Sequence, residues 1–254
     1  MRLITRTFAV VLMMAVSVGA LAAEGGLALD TMAADHTNKE SLQRGATLFT
    51  NYCMGCHSME HARYKRVADD LGIPADIYKD NLIFTGANIG ELMKNSMNKE
   101  QAANWFGNAP PDLTLESRLR GDDWIYSYLR GFYKDDSRPM GINNVVFPNV
   151  GMPHVLMQLQ GLCAVEPAIG HQERVDPLSG NVMNQEVCTE WATKGSMTAA
   201  EYDSTIYDLT NFLSYMGDPV KVERERLGMF VLIFIAIFFI FAYLLNREYW
   251  KDVH

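Results

Sequence analysis

The sequence predicts a mainly α-helical domain with long loops, followed by one transmembrane helix near the C-terminus. Apolar residues recur at helical spacing in two stretches, one ending at residue 53 and the other covering residues 198–215. Between them, residues 133–161 are interrupted repeatedly by proline and glycine, which is typical of a loop. The run from Leu227 to Leu245 has 19 residues without a charge, enough to cross the apolar layer of a bilayer.

Length, composition and charge limit the class of protein. The chain has 254 residues, 48% of them apolar, and a formal net charge of −8. These values permit one or two globular domains with a substantial core. The first 23 residues contain Arg2 and Arg6 and no acid, so their removal would take the net charge to −10. An acidic chain repels phosphates, and nucleic acid is therefore not an expected partner.

Residues 1–23 have the three parts of a secretory signal peptide: a basic start, an apolar run and a small-residue end. Cleavage is expected after Ala22 or Ala23. An uncleaved anchor is the alternative, but an uncharged run of about 16 residues is short for a membrane span. Residues 24–40 follow as an extended arm with little periodicity. The sequence therefore predicts export across the membrane.

The domain is organised around the pentapeptide CMGCH at residues 53–57. Two thiols on one helical turn, Cys53 and Cys56, can form thioethers with the two vinyl groups of a single haem. His57 then lies next to the iron and can bind it as an axial ligand. The motif predicts one covalently bound haem c.

A zinc site or a redox dithiol is the alternative interpretation of the same motif. A zinc site needs a second ligand pair at suitable spacing, and the other two cysteines, Cys163 and Cys188, are distant and 25 residues apart. A redox dithiol favours a strand-to-helix context. The residues before Cys53 instead have helical periodicity, with Ser41 as the expected N-cap and Gly45 on the apolar face.

The residues after the pentapeptide resemble cytochrome c1, the membrane-anchored haem subunit of the quinol:cytochrome c oxidoreductase complex. The resemblance lies in CHSM at residues 56–59 followed by YKR at residues 64–66. It implies a class I cytochrome c-like haem domain over residues 41–220. We expect residues 58–70 to be helical, and residues 81–97 to be helical in part.

Two further motifs carry the resemblance into the haem surroundings. The run PPDL at residues 110–113 is similar to a run that lines the haem pocket in that family, and this implies that Pro111 lies there. The resemblance also implies that Arg120, at the end of a short helix, pairs with a haem propionate. Arg118 is the rival for this role. A buried carboxylate needs such a partner.

The run FPNVGMP at residues 147–153 resembles the segment that supplies the sixth iron ligand in that family, which implies Met152. A thioether ligand raises the reduction potential of a haem. It also closes the iron to oxygen and peroxide. The residues alone leave several competitors open: Met93, Met97, Met140, Met183 and His154. Of these His154 is the strongest, although we expect it to be an exposed loop histidine.

Cys163 and Cys188 follow the methionine loop. Two leftover cysteines in an exported protein are expected to form a disulfide, and some bacterial cytochromes c1 resemble this chain in having one. Closing a loop of 25 residues stabilises a fold by roughly 3 kcal/mol in the entropic account. Free buried thiols are the alternative.

The C-terminal part of the chain predicts one more helix and then an anchor. Thr198 and Glu201 can form a capping box at the start of the helix. The resemblance implies that this helix crosses the first helix near Gly45. Residues 227–245 then span roughly 28 Å as a transmembrane anchor in lipid, with a cytoplasmic tail over residues 246–254. Flanking charges do not decide the orientation. The export signal predicts a haem domain in the periplasm of a bacterium, on a single-pass inner-membrane anchor.

The resemblance implies a function in electron transfer. The haem would take one electron from the Rieske iron–sulfur protein and pass it to a soluble c-type cytochrome, beside the cytochrome b subunit. The chain would be part of an enzyme complex without making or breaking bonds itself. Another membrane-anchored monohaem cytochrome c is the alternative, and an open-iron enzyme such as a peroxidase is a second one. Acidic pairs at residues 69–70, 122–123 and 135–136 could steer a basic partner.

Overall fold

A computed structural model describes residues 27–170, 174–175, 182–183 and 187–251. The predicted signal peptide lies outside these residues. The helices of the described part are α1 (Lys39–Leu48), α2 (Tyr64–Leu71), α3 (Ala75–Leu82), α4 (Lys99–Phe106), α5 (Glu116–Arg120), α6 (Asp122–Arg130), α7 (Met157–Gln160), α8 (Ala199–Gly217) and α9 (Lys221–Tyr249). A π-helical turn over Phe49–Cys53 extends α1. The prediction of a mainly helical chain is confirmed.

Short strands within the described residues form three small sheets. They are β1 (Met59–Arg63), β2 (Leu92–Met93), β3 (Phe132–Lys134), β4 (Ile142–Asn144), β5 (Gly161–Cys163), β6 (Arg174–Val175), β7 (Val182–Met183) and β8 (Trp191–Lys194). Strands β1 and β2 pair antiparallel, as do β6 and β7. The largest sheet has the order β4-β3-β5-β8, in which only the β3–β5 pair is parallel.

Helices α1 and α8 cross at Gly45, as the sequence predicts. A Cβ atom added to Gly45 would lie 2.1 Å from the backbone oxygen of Asp208 and 2.5 Å from Cβ of Phe212. Only glycine therefore allows this approach. Beside the crossing, the buried rings of Phe49 and Phe212 lie 5.9 Å apart. The two helices form the centre of the apolar core.

Both ends of α8 are set by local chemistry. The Thr198 side chain accepts a hydrogen bond from the Glu201 backbone, and the Glu201 carboxylate accepts one from the Thr198 N–H, which confirms the capping box. At the other end, a Cβ atom on Gly217 would lie 2.3 Å from Oγ of Ser117. The Ser117 hydroxyl donates to the Leu213 carbonyl (3.0 Å). Helix α5 is thereby fixed against the end of α8.

The arm, residues 27–38 of the described chain, contains no helix or strand. Its backbone N–H groups donate to side chains of α6 and α8: Asp30 to Ser127 (2.9 Å), Met32 to Asp123 (2.7 Å) and Asp35 to Asn211 (2.9 Å). The described part of the arm has a turn at residues 36–37 and otherwise no assigned secondary structure. Its backbone N–H groups find their hydrogen-bond acceptors in side chains of α6 and α8 instead of in a helix or sheet.

The prediction of a helix over residues 58–70 is wrong in its first half, where β1 precedes α2. The reason is a hydrogen-bonding partner distant in sequence. The Leu113 N–H donates to the Ser58 carbonyl (2.9 Å), and the Glu60 N–H donates to the Asp112 carboxylate (2.6 Å). These bonds hold the segment extended. In residues 81–97, helix occurs only as the end of α3.

Two smaller corrections concern boundaries. The first helix begins at Lys39, with the Asn38 side chain accepting from the Ser41 N–H, so Asn38 and not Ser41 is the N-cap. Residues 133–161, predicted as a loop, include most of β3, all of β4 and the helix α7. The strands β3 and β4 were missed because strands of three residues leave little period-2 signal.

The disulfide predicted between Cys163 and Cys188 is present and ties β5 to the segment before β8.

Helix α9 is the one described helix long and apolar enough to cross a membrane. None of its residues is buried against the rest of the chain. Its exposed side chains include Phe230, Ile235 and Phe241. An apolar surface of this extent is stable only in lipid or against other apolar helices.

Candidate functional site

The CMGCH motif lies where α1 ends in its π-helical turn. The backbone N–H groups of Cys56 and His57 both donate to the Cys53 carbonyl, at 3.0 and 2.8 Å. This tight turn brings the two thiols and the imidazole together at one helix end. Cys53 and His57 are buried, whereas Cys56 is partly exposed.

The imidazole of His57 is oriented by the PPDL segment. Its Nδ1–H donates to the carbonyl oxygen of Pro111, at 2.7 Å, because a carbonyl can only accept. This bond assigns the tautomer in which Nε2 carries the free lone pair. Burial lowers the pKa of His57 and keeps the ring neutral. A neutral imidazole whose second nitrogen is held by an acceptor is the usual form of a metal-binding histidine.

The PPDL segment is itself held against the residues that follow His57. In addition to the bonds from Leu113 and Glu60, the Asp112 carboxylate accepts from the Thr114 N–H (2.9 Å). These bonds fix residues 112–114 against the strand that follows His57. They thereby set the position of the Pro111 carbonyl, which orients the His57 ring.

The chemistry of the thiols disfavours the alternative interpretations of the motif. Burial raises the pKa of Cys53 to about 12, whereas the attacking thiol of a redox dithiol has a lowered pKa. Among the described residues, no group of three or more histidine, cysteine or carboxylate side chains is placed to hold a metal ion. The donor set at residues 53–57 fits a haem held by two thioethers and one imidazole.

Met152 lies in the same apolar cluster as Cys53, packed against it with Leu113 and Trp124. Its sulfur accepts a hydrogen bond from the Tyr128 hydroxyl, with the oxygen 3.3 Å from Sδ. A partly buried thioether in this cluster has the chemistry of a soft axial ligand.

Two asparagines hold the loop that carries Met152. The Asn144 side chain accepts from the N–H groups of Val146 (2.9 Å) and Phe147 (3.2 Å). The Asn143 side chain accepts from the Asn149 N–H (2.8 Å). Since Asn143 and Asn144 end β4, the small sheet sets the position of the methionine loop. Sequence reasoning missed both residues.

His154 is buried, so the prediction of an exposed loop histidine is wrong. Its ring stacks on Phe132 with centroids 4.6 Å apart, and its Nε2–H donates to the Gly161 carbonyl (3.1 Å). Burial lowers the pKa of His154 to about 4, so the ring is neutral. The side chain is tied to the sheet through Nε2 and one ring face.

The remaining methionine candidates lie elsewhere. Met93 is fully buried in β2 and Met140 is exposed on a turn. Met97 lines a small cavity with Cys56 and Pro110. The side chain of Met183 lies outside the described part of the chain.

Arg120 lies above the aromatic side chains next to Met152. Its guanidinium carbon is 4.5 Å from the ring centroid of Trp124 and 5.5 Å from that of Phe147. It also forms an ion pair with Glu116 (3.3 Å) and is about 38% exposed. Arg118, the rival, is exposed and contacts Gly217 instead. Arg120 is therefore the better placed of the two to meet an acidic group beside these rings.

The acidic pairs suggested for steering are engaged within the chain. Asp69 and Asp70 pair with Lys65 and Arg66 on the same helix. The other carboxylates also have partners: Asp122 with Ser214, Asp123 with Met32, Asp135 with Ser137 and Asn143, and Asp136 with Lys134. Ion pairing weakens the field of Asp69, Asp70 and Asp136. The other three carboxylates have neutral partners, so steering stays a prediction.

The fold and the site together define a haem protein whose mainly helical domain is carried on one apolar C-terminal helix. A sequence profile of the Cytochrome C1 family matches residues 30–83 and 85–253. The chain belongs to the cytochrome c1 family, the membrane-anchored electron-transfer subunits of bc1 oxidoreductase complexes.

Known relatives agree over most of the chain. Cytochrome c1 of Allochromatium vinosum is 48% identical over 236 residues, which cover 92% of this chain and 93% of the relative. A protein of Nitrosomonas europaea named ammonia monooxygenase gamma subunit is 42% identical, covering 89% of both chains. Cytochrome c1 of Rhodospirillum rubrum is 26% identical over 85% of this chain and 83% of its own.

Proposed function

We propose that this chain holds one covalently bound haem c and carries single electrons through it. Cys53 and Cys56 would hold the haem through thioethers, and His57 and Met152 would supply the ligands to its iron. The observation that carries the proposal is the 2.7 Å bond from His57 Nδ1 to Pro111, which leaves Nε2 free for iron. When bound, the haem supplies a one-electron couple between ferric and ferrous iron.

The residues of the chain then have separate tasks. The Pro111 carbonyl holds the proximal imidazole in one tautomer and orientation. The loop after β4 holds the Met152 thioether, which would bind the iron and close it to other ligands. Arg120 neutralises a propionate, as its place above Trp124 and Phe147 favours. The apolar cluster shared by Cys53 and Met152 excludes water and keeps the surroundings of the iron at low polarity.

The direction of electron flow follows from the family. This chain would accept an electron from the Rieske iron–sulfur protein and pass it to a soluble c-type cytochrome. Helix α9 anchors the chain beside the cytochrome b subunit. Its exposed apolar surface, with no residue buried against its own domain, supports contact with lipid and partner helices. The signal sequence supports a haem domain in the periplasm on the bacterial inner membrane.

The ligand assignment is tested by Met152→Leu in the full-length protein. Leucine keeps the volume but offers no lone pair to iron. We expect loss of the red absorption band that marks methionine–iron ligation in the ferric state, together with a lower reduction potential. Met140→Leu, on an exposed turn, is the matched control and should keep both. A band retained in Met152→Leu would contradict the assignment.

The competing function is that of another anchored monohaem cytochrome c, such as an oxidase subunit or a free shuttle. Purification from detergent-solubilised membrane separates the two functions. We expect a b-type cytochrome and a Rieske protein in stoichiometric amounts with this chain. Co-purification with an oxidase, or with no other protein, would contradict membership of the proposed complex.

A further inference from the structure

The Tyr128 hydroxyl is directed at the sulfur of Met152. The oxygen lies 3.3 Å from Sδ, and this is the hydrogen bond the hydroxyl makes within the described residues. Thioether sulfur is a weak acceptor, so chance alone would rarely give a partly buried hydroxyl such a partner. A thioether has two lone pairs, and one of them accepts from Tyr128.

The tyrosine ring is held so that this direction is fixed. It stacks on Trp124, one helical turn earlier on α6, with centroids 4.9 Å apart and planes within 9°. The ring of Phe132 meets it edge-on at 5.3 Å. Two aromatic contacts on different sides leave the hydroxyl little freedom.

The helix and the methionine loop are joined by a shared residue. The Asn144 side chain donates to the Tyr128 carbonyl (2.8 Å) while it accepts from the N–H groups of Val146 and Phe147. One asparagine thus connects the donor of the hydrogen bond with the loop that carries its acceptor. The contact between Tyr128 and Met152 is therefore built into the fold on both sides.

We propose that Tyr128 is a positioning residue that orients the Met152 thioether and raises the reduction potential of the haem. The inference rests on the proposed function, in which Met152 is an iron ligand. A hydrogen bond to one lone pair of sulfur reduces the electron density that the other can give to iron. Weaker electron donation from sulfur destabilises ferric iron more than ferrous iron, so the ferrous state is favoured. Hydrogen bonds to axial ligands are a recognised means of setting haem potentials.

Redox titration of the purified full-length protein with Tyr128→Phe tests this role. Phenylalanine keeps the ring and its two aromatic contacts and removes only the hydroxyl. We expect a threefold to tenfold shift of the equilibrium towards ferric iron, which corresponds to a potential lower by about 30–60 mV for one electron. The red ferric band should remain but change in position, since its energy depends on the sulfur donor.

Tyr126→Phe is the matched control, because it removes a hydroxyl from the same helix. The Tyr126 ring lies under the Arg130 guanidinium (4.7 Å) and does not bond to Met152. We expect its potential and band to match those of the unmodified protein. If Tyr128→Phe gives too little protein for a titration, the position of its red ferric band still tests the same hydrogen bond.

The outcomes separate this inference from the function on which it rests. If Met152→Leu abolishes the band while Tyr128→Phe leaves the potential unchanged, the role of Tyr128 is wrong and the ligand assignment stands. If Met152→Leu keeps the band, the ligand assignment itself is wrong. An equal shift in Tyr126→Phe and Tyr128→Phe would also overturn the proposal, because the effect would then not depend on the bond to sulfur.

Discussion

Arg130 is nearly completely buried, with 4% of its side chain exposed, between two carboxylates. Its guanidinium lies 2.6 Å from Asp203 of α8 and 2.6 Å from Asp30 of the arm. Burial raises the pKa of Asp203 despite the neighbouring guanidinium, so the ionised pair depends on this contact. A buried charge without its partner is costly.

Arg130→Met should therefore destabilise the domain by about 3–5 kcal/mol at pH 7. The loss should be smaller near pH 4. Without the guanidinium, the raised folded-state pKa of Asp203 rises further, so protonation relieves the folded state more than the unfolded one. Urea unfolding followed by circular dichroism at the two pH values measures both effects.

Lys65→Met provides the comparison, since the Lys65–Asp69 pair is exposed on both sides. Such pairs contribute about 0.5 kcal/mol or less. A loss in Arg130→Met no larger than in Lys65→Met would show that the buried cluster does not hold the arm and α8 together.

At the scale of elements, the crossing of α1 and α8 decides where the pentapeptide lies. Gly45 is two turns before Cys53, and the space around it is closed by the backbone of α8. A backbone atom cannot move aside as a flexible side chain can. The position of the thiols and that of α8 are therefore coupled through a single glycine.

Gly45→Ala should destabilise the domain by about 3 kcal/mol, at the upper end of overpacking costs. The added methyl must push the two helices apart, which also shifts the end of α1. Thermal unfolding measures the stability, and the yield of haem-loaded protein measures the displacement. Gly90→Ala, with no atom within 4 Å of the added carbon, is the control and should change neither.

The elements that the sequence predicted well are those with local causes. The capping box at Thr198 and the apolar face of α8 lie within one stretch of chain, so periodicity identifies them. Strand β1 was missed because its strand partner β2 and its bonds with Asp112 and Leu113 come from later in the chain. Burial of His154 was missed because it depends on the small sheet, in which Phe132 of β3 stacks on the ring and Gly161 of β5 accepts its hydrogen bond.

At the scale of the whole molecule, the haem domain and the anchor are connected but separately stabilised. No residue of α9 is buried. The junction consists of local contacts, such as the ion pair of Arg224 with Asp218. The anchor therefore fixes where the domain lies but contributes no residue to its core.

Ending the chain after residue 220 should release a soluble domain with an unchanged reduction potential and red ferric band. The reason is that the described core ends with α8. Detergent phase partition measures the release, and redox titration measures the potential. A potential shifted by the truncation, or a domain that does not fold, would show that α9 supports the haem site.

The residues of the candidate site that belong to a motif or to a family resemblance could be predicted from the sequence. The pentapeptide, Pro111 and Met152 each belong to a recognisable run of residues. The residues that support them do not: Tyr128 contacts Met152 across 24 positions, and Asn144 acts through both ends of its amide. No local sequence pattern identifies these two residues, because their roles depend on the tertiary contact between α6 and the methionine loop.

The contact of α1 with α8 also has a consequence for the order of biosynthesis. A chain is made from its N-terminus, and α8 lies more than 140 residues after the pentapeptide. Until α8 has been synthesised, the apolar cluster that buries Cys53 in the finished domain lacks Ile206, Leu209 and Phe212. The interval between the two helices is thus a time window for modifying the thiols, and completion of the fold ends it.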